Sequence, residues 1–129
     1  MESAGIHEFH RYLDLVRRDP EELEVLRSIL VVTISRFFRN AKVFHFLSRE
    51  ILPLLAEKSR PVAWSAGCAS GEEPYSVRIA WEEMPGKKPG LALLATDVDP
   101  VSLERAEAGS YSESSLRELP AALRRKYFR

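Results

Sequence analysis

The chain has 129 residues, of which 45% are hydrophobic and 29% charged, a composition typical of one folded domain and not of a disordered chain. Nineteen basic residues balance nineteen acidic ones, so the net charge favours neither a nucleic acid nor an anionic membrane surface as a partner. The apolar runs, such as residues 29–32, are too short for membrane insertion. A single cysteine and the absence of a signal-peptide pattern at the N-terminus predict a cytoplasmic location.

Residues 1–58 are predicted to form a helical N-terminal segment. Asp19 followed by Pro20 is typical of a helix start, because the aspartate can cap the helix and proline suits its first turn. Apolar residues recur every three or four positions on both sides of this start, as on the inward face of a helix. They are Ile6, Phe9, Leu13 and Val16 in the first helix and Leu23, Leu26, Ile29 and Leu30 in the second.

A further helix is predicted from Phe44 to Glu57, with Pro53 either bending it or splitting it in two. Its expected inward residues are Phe44, Leu47, Ile51, Leu54 and Leu55. Before this helix, residues 33–40 (TISRFFRN) place two phenylalanines side by side. Since adjacent residues of a helix cannot both face the same core, one phenylalanine is expected to pack against a neighbouring segment or a ligand.

From Arg60 onwards the pattern changes to alternating strands and helices, which indicates an α/β fold. The strands are short apolar runs and are predicted to be buried. The predicted elements are a strand at 61–66, a helix at 74–84, a strand at 91–96, and a helix that Asp99 and Pro100 open and that ends near Gly109. This order predicts a right-handed βαβ unit with two parallel strands.

The segment between the first strand and its helix, residues 65–76 (SAGCASGEEPYS), bears most directly on function. Small residues after a parallel strand let a ligand approach the backbone, at the edge where such sheets bind ligands. Glu72 and Glu73 would repel a diphosphate and suit a cationic ligand, or they could serve only to complement the helix dipole. Either Ser70 caps the helix in a capping box with Glu73, or Glu73 is the cap and Pro74 the first helical residue.

Asp97 stands where the second strand ends. An acid at such a strand end commonly accepts the hydroxyl groups of a ribose, which predicts a nucleoside ligand; the alternative is a simple turn residue. Asp99 is assigned a different role, as the cap of the next helix. Cys68 has no evident paired base in the sequence, so it is expected to be a small packing residue and not a nucleophile.

Together these segments resemble the CheR-type chemotaxis receptor methyltransferases, which methylate glutamate side chains of receptor proteins. Residues 33–39 resemble the family's T-x-[ST]-x-F-F-R motif, and residues 64–76 resemble its first cofactor motif. Further similarity follows in order at residues 12–23, 95–99, 109–111, 119 and 127–128. The resemblance covers most of the chain and implies that residues 59–129 form part of a Rossmann-like, S-adenosylmethionine-dependent methyltransferase domain.

The resemblance also implies roles for particular residues. Thr33 and Ser35 match positions that contact the cofactor, and Asp97 matches the acid on its ribose. Arg39 matches a cofactor-binding and catalytic arginine at the methyl-transfer end, where a guanidinium would orient the substrate carboxylate.

Glu73 matches the acid that reaches the methionine portion of S-adenosylmethionine, with Glu72 as the less favoured candidate. The implied reaction forms a methyl ester on a chemoreceptor glutamate. A glutamate with a pKa of about 4.3 is already an ionised nucleophile near neutral pH, so the enzyme has to align the reactants and exclude water. No metal is required for this chemistry.

The later strands of the family's sheet have no counterpart before Arg129, so the chain is expected to be an N-terminal portion of a methyltransferase that is inactive alone. A missing C-terminal half is then a candidate partner. The alternative is a non-catalytic signalling module that binds a receptor or regulator. A nucleotide-dependent dehydrogenase is disfavoured, because the chain lacks a G-x-G-x-x-G pattern and carries the acid pair described above.

Overall fold

A computed structural model of the chain describes residues 8–30 and 35–129. The chain divides into two compact units, Met1–Val32 and Thr33–Arg129. Two residues of the sequence predictions, Ile6 and Thr33, lie outside the described residues. These units are defined by compactness alone. The predicted domain boundary, after residue 58, is a different division and stays a prediction.

The first unit contains helices α1 (Phe9–Arg18) and α2 (Pro20–Leu30). The prediction that Asp19 starts a helix is confirmed: its Oδ1 accepts the backbone N–H groups of the second and third residues after it, at 2.9 and 3.3 Å. Tyr12 is buried and donates its hydroxyl to Oε1 of Glu22 at 2.8 Å, which connects the two helices.

The predicted inward faces of these two helices are only partly correct. Val16 is buried as expected, whereas Phe9, at the start of α1, is exposed. Ile29 and Leu30, in the last turn of α2, are exposed as well. Helical periodicity identifies which residues share a face, but it does not show how much of that face another element covers.

The helix predicted from Phe44 to Glu57 consists of three consecutive segments. They are α3 (Ala41–Phe46), a π-helical turn (Leu47–Ile51) and α4 (Leu52–Ala56). The helix is disturbed near Pro53 as a change of helical geometry: the π-turn ends at Ile51 and α4 follows directly, and proline has no N–H to donate to the preceding turn. Two predicted inward residues are wrong: Ile51 and Leu54 are exposed, and Leu52 is buried instead.

The rest of the second unit is an α/β arrangement, as predicted. Its elements are β1 (Val62–Ala66), α5 (Glu72–Glu83), β2 (Ala92–Thr96), α6 (Pro100–Ala108) and α7 (Ala121–Tyr127). The two strands pair in parallel, in a register that runs from Val62 opposite Ala92 to Ala66 opposite Thr96. The carboxyl ends of both strands therefore lie at the same edge of the sheet.

The strands are not buried on both faces, which corrects the prediction. Ser65 is buried, but Val62, Trp64 and Leu94 are exposed, and the Trp64 indole N–H donates to Oγ1 of Thr96 on the neighbouring strand at 3.0 Å. A short apolar run indicates a strand but does not show whether both of its faces are covered.

Two groups of buried residues lie on either side of α5. We call the first the C-terminal cluster: Phe37, Ile79, Leu116 and Leu119. The second is the central cluster: Leu52, Ala80, Trp81 and Leu91. Phe38 is partly buried and packs against both. This packing holds α5, and with it the motif of residues 65–76, between the two clusters.

Candidate functional site

The loop between β1 and α5 turns back over the end of β2. The backbone N–H groups of Gly67 and Cys68 both donate to the carbonyl oxygen of Thr96, at 2.8 and 2.9 Å. Gly67 has a φ of 75°, and a Cβ added there would meet no atom within 4 Å, so the backbone is open to approach at this point.

Gly71 closes the other end of this loop and is tightly packed. Its φ is 93°, and an added Cβ would lie 2.8 Å from the Tyr111 hydroxyl oxygen and 2.9 Å from Cβ of Ala106. Tyr111 also donates its hydroxyl to the carbonyl oxygen of Ser70 at 2.7 Å. The two glycines therefore serve different purposes, one leaving space and the other permitting close contact with the elements behind the loop.

Helix α5 begins at Glu72, with Gly71 as its N-cap, so both predicted starts are wrong. Gly71 takes the left-handed conformation and its carbonyl accepts the N–H of Tyr75 at 3.0 Å, which makes it the residue that opens the helix. Pro74 lies in the first turn, where its missing N–H has no helical partner to lose.

The Asp97 side chain bonds to the backbone of two segments, the loop between β1 and α5 and the residues just before α6. Its Oδ2 accepts the N–H of Ala69 at 2.7 Å, and its Oδ1 accepts the N–H of Asp99 at 2.9 Å. Asp99 in turn caps α6, as predicted, and accepts the N–H groups of Val101 and Ser102. An ionised carboxylate offers about four acceptor positions, so Asp97 keeps acceptor capacity beyond these two bonds.

Glu73 is fixed to the end of β1. Its Oε1 accepts a hydrogen bond of 2.6 Å from the hydroxyl of Ser65, a buried residue of that strand. The Glu73 side chain is otherwise exposed, in contrast to its neighbour Glu72. Ser65 was not among the predicted site residues, although its position on the strand that leads into the motif was a usable signal.

Glu73 and Asp97 both act on the same thiol. Cys68 is buried, and burial raises the pKa of its thiol most; the negative charges of Asp97 and then of Glu73 raise that pKa further. Both carboxylates therefore lie near one point of the loop. A buried thiol with a raised pKa is a poor nucleophile, which agrees with the prediction that Cys68 is a packing residue.

Residues 35–40 form a turn and not a helix, which explains the adjacent phenylalanines. Phe38 has a φ of 54°, so it and Phe37 both reach the interior. The N–H of Phe37 donates to the carbonyl oxygen of Ser115 at 3.1 Å, and the N–H of Phe38 donates to Oγ of Ser76 at 2.9 Å. The second bond fixes the turn against α5, one helical turn after Glu73, and the first fixes it to the segment that contains Ser115.

The predicted site residues thus fall into two groups. Glu73 and Asp97 lie at the carboxyl edge of the sheet, on either side of the loop between β1 and α5. Ser35, which is partly buried, and Arg39, which is exposed, belong to the turn that is bonded to α5. The roles of these residues in binding and catalysis stay predictions.

A separate hollow of about 480 Å³ lies between α5, β2 and α6. Its walls include Tyr75, Leu93, Leu103 and Ala106, and Cys68 forms part of its floor next to the loop. Glu73 and Asp97 are not among its lining residues, so this hollow is distinct from the edge where the two acids lie.

Two further properties concern the part of the chain that the structure describes. None of its helices combines the length and the apolar character that a membrane crossing requires. Nor does any group of three or more histidine, cysteine, aspartate or glutamate residues come together there in a way that could hold a metal ion.

The chain is similar in sequence to several known proteins. Residues 33–129 match the family described as "CheR methyltransferase, SAM binding domain". The chain is 37% identical over 122 residues to a chemotaxis protein methyltransferase of Listeria innocua, which covers 93% of this chain and 46% of that protein. It is 38% identical over 132 residues to a chemotaxis protein methyltransferase of Klebsiella aerogenes, with 96% and 43% coverage.

A chemotaxis protein methyltransferase of Borreliella burgdorferi is 34% identical over 134 residues, which cover 95% of this chain and 47% of that protein. The chain therefore spans less than half the length of each of these three relatives. The predicted family, the Rossmann-like fold class and the cofactor S-adenosylmethionine are confirmed by the family match together with the parallel strand pair. On these grounds the chain belongs to the CheR methyltransferase family, whose S-adenosylmethionine-binding domain it matches from residue 33 to residue 129.

Proposed function

We propose that this chain contributes to the methylation of glutamate side chains on chemoreceptor proteins, in the cytoplasm, with S-adenosylmethionine as methyl donor. The observation that carries the proposal is that Glu73 is bonded to Ser65 near the end of β1 and Asp97 to Ala69 in the loop that follows, at the shared carboxyl edge of β1 and β2. The names of the relatives support a role in chemotaxis. The proposal includes a helical segment up to residue 58 and a methyltransferase domain from residue 59.

The chemistry of these residues fits S-adenosylmethionine. This molecule carries a sulfonium and an ammonium group, both cationic, and it has no phosphate. Two carboxylates therefore attract it where they would repel a nucleotide. The open side of Gly67 leaves room for a ligand to approach the backbone between them.

Within this site, Asp97 would accept the ribose hydroxyls and Glu73 would hold the ammonium of the methionine portion. Ser35, in the turn that precedes α3, would contact the cofactor, and so would Thr33. Arg39, on the same turn, would bind the substrate carboxylate and orient it, because a guanidinium forms paired hydrogen bonds with a carboxylate. The hydrogen bonds from Ser65 to Glu73 and from Ala69 to Asp97 support these assignments, since they hold both acids in place.

When bound, S-adenosylmethionine supplies an electrophilic methyl group on sulfur. A substrate glutamate carries a carboxylate near neutral pH, so the chain does not need a general base. Glu73 and Asp97 would hold the methyl donor and Arg39 the substrate carboxylate, so that the methyl group would pass from sulfur to a carboxylate oxygen and leave neutral S-adenosylhomocysteine. The task of the residues named above is to align these atoms and to keep water away.

Titration calorimetry with S-adenosylhomocysteine, the product of the donor, tests the proposal. Glu73→Gln keeps an acceptor for the Ser65 hydroxyl but removes the charge, so it should weaken binding by about tenfold or more, as loss of a charge-assisted hydrogen bond does. The matched control is Glu104→Gln, which neutralises an exposed glutamate on α6 and should leave the affinity unchanged.

Two results would contradict the proposal. Either the wild-type chain shows no binding at all, or Glu73→Gln binds as tightly as the wild type. The first result, combined with capture of a receptor fragment by the chain, would favour the alternative of a non-catalytic interaction module.

A further inference from the structure

Glu72 is a buried acid for which the proposed chemistry has no use. Its side chain is 4% exposed, and its Oε2 has no hydrogen-bond partner among the described residues. Burying a carboxylate costs free energy unless other groups bond to it. The position of Glu72 in the first turn of α5 explains an acid there, but not an acid that points into the interior.

The bonds around Glu72 connect three segments of the chain. The hydroxyl of Ser76 donates to the carbonyl oxygen of Glu72 at 2.6 Å and accepts the N–H of Phe38 at 2.9 Å. Ser76 is fully buried, so neither bond competes with solvent. The first turn of α5 is thereby joined to the turn of residues 35–40.

Ser115 makes a second connection between Glu72 and the turn of residues 35–40. Its hydroxyl donates to Oε1 of Glu72 at 3.3 Å, and its carbonyl oxygen accepts the N–H of Phe37 at 3.1 Å. We call the set of Glu72, Ser76, Ser115, Phe37 and Phe38 the α5 link. Two adjacent backbone N–H groups of the turn are held by two serines. Ser76 bonds to the main-chain carbonyl of Glu72, and Ser115 bonds to its carboxylate.

We propose that Glu72 is a positioning residue, which through the α5 link sets the turn carrying Ser35 and Arg39 relative to Glu73. The inference rests on the proposed function, because it concerns how two parts of that site are held together. It assigns different tasks to the adjacent acids: Glu73 is exposed at the sheet edge and faces the ligand, whereas Glu72 is buried and faces the protein.

The first experiment measures hydrogen exchange at single amides by NMR in the 129-residue chain. Ser76→Ala removes the acceptor for the Phe38 N–H, so protection of that amide should fall by about fivefold, as expected for one lost hydrogen bond. The internal control is the Ala92 amide, which donates to Pro61 in another part of the fold and should not change. The matched control variant is Ser102→Ala, a buried helical serine whose hydroxyl bonds to Asp99, the cap of its own helix α6.

The second experiment distinguishes hydrogen bonding from charge at Glu72. Glu72→Gln keeps an acceptor for the Ser115 hydroxyl, so it should preserve both the protection of the Phe37 amide, which donates to the Ser115 carbonyl, and the affinity for S-adenosylhomocysteine. Glu72→Ala should reduce both. If Glu72→Gln loses affinity while Phe37 stays protected, the charge acts on the ligand directly and the positioning role is wrong.

A double-mutant cycle then tests which part of the site the link serves. Ser76→Ala should be non-additive with Arg39→Ala in S-adenosylhomocysteine affinity, because both act through the same turn, and additive with Glu73→Gln. Additivity with both partners would overturn the positioning role. A wild-type chain that binds no S-adenosylhomocysteine would instead overturn the proposed function, and the exchange of Phe38 would still decide by itself whether the link holds the turn.

Discussion

Glu73 and Asp97 differ in the hydrogen bonds that their carboxylates accept from the protein. Glu73 accepts one hydrogen bond, from the side chain of Ser65, and a glutamine can accept it equally well. Asp97 accepts two backbone N–H groups and so supports the loop itself. Substitution of Asp97 therefore changes the shape of the loop as well as its charge, and Glu73→Gln is the cleaner test of ligand binding.

The two glycines of the loop allow a test at single-residue resolution. Gly67→Ala and Gly71→Ala should each lower the free energy of unfolding by at least about 1–2 kcal/mol, because each forces an alanine into the left-handed region. Gly71→Ala should cost more, since its methyl group would also overlap Tyr111 and Ala106, whereas the space at Gly67 is open. Urea denaturation of the two variants measures the difference. Equal losses would show that the neighbours of Gly71 move aside freely.

At the scale of elements, the π-helical turn explains why one predicted face was wrong. The expected inward residues after Leu47 were Ile51, Leu54 and Leu55. The observed ones are Leu52, which is buried, and Leu55 and Ala56, which pack against the central cluster. A π-turn takes one more residue than an α-turn, so the inward face shifts by about one residue, or 100°. The periodicity of the sequence contains no sign of this insertion.

Other elements were predictable because their signals are local. Asp99 and Pro100 start α6, and Gly109 ends it in the left-handed conformation, as the sequence indicates. The start of α5 was not predictable in the same way, because Gly71 opens it only in combination with close contacts to Tyr111 and Ala106, which are distant in sequence.

The cap of α6 gives a prediction about pH. The hydrogen bond from the Ser102 hydroxyl, with the N–H groups of Val101 and Ser102, lowers the pKa of Asp99. A carboxyl with a lowered folded-state pKa stabilises the fold above its unfolded pKa, and this stabilisation is lost as the pH falls through the folded value. Asp99→Ala should therefore lower the Tm at pH 6, and the gap to wild type should shrink below about pH 4.

Thermal melts across this pH range measure the effect. Glu104→Ala is the control, an exposed acid of the same helix for which no such pH-dependent gap is expected. If the difference in Tm between Asp99→Ala and the wild type stays constant from pH 6 to pH 3, the assignment of Asp99 as the cap is contradicted.

At the scale of the whole molecule, the sheet has one covered and one open face. Residue Ala63 of β1 packs against the central cluster, whereas Val62, Trp64 and Leu94 are exposed on the other side. Parallel strands normally have both faces covered, and the chain spans less than half the length of the relatives described above. The sequence predicted both strands but not this difference between their faces.

The two tryptophans of the chain report separately on the open face of the sheet (Trp64) and on the buried central cluster (Trp81). Trp64 is 67% exposed and Trp81 is 1% exposed. Acrylamide should therefore quench the fluorescence of the Trp81→Phe variant, which retains Trp64, far more strongly than that of Trp64→Phe. Similar quenching of both variants would show that the open face is covered in solution, for example by self-association.

The position of α5 between the two clusters has a consequence for unfolding. Three consecutive residues of α5 contribute to the two clusters: Ile79 belongs to the C-terminal cluster, and Ala80 and Trp81 belong to the central cluster. Neither cluster can come apart without releasing the helix that the other one needs. The segment from Ser35 to Arg129 should accordingly melt in a single cooperative transition, without a stable intermediate in which only one cluster remains.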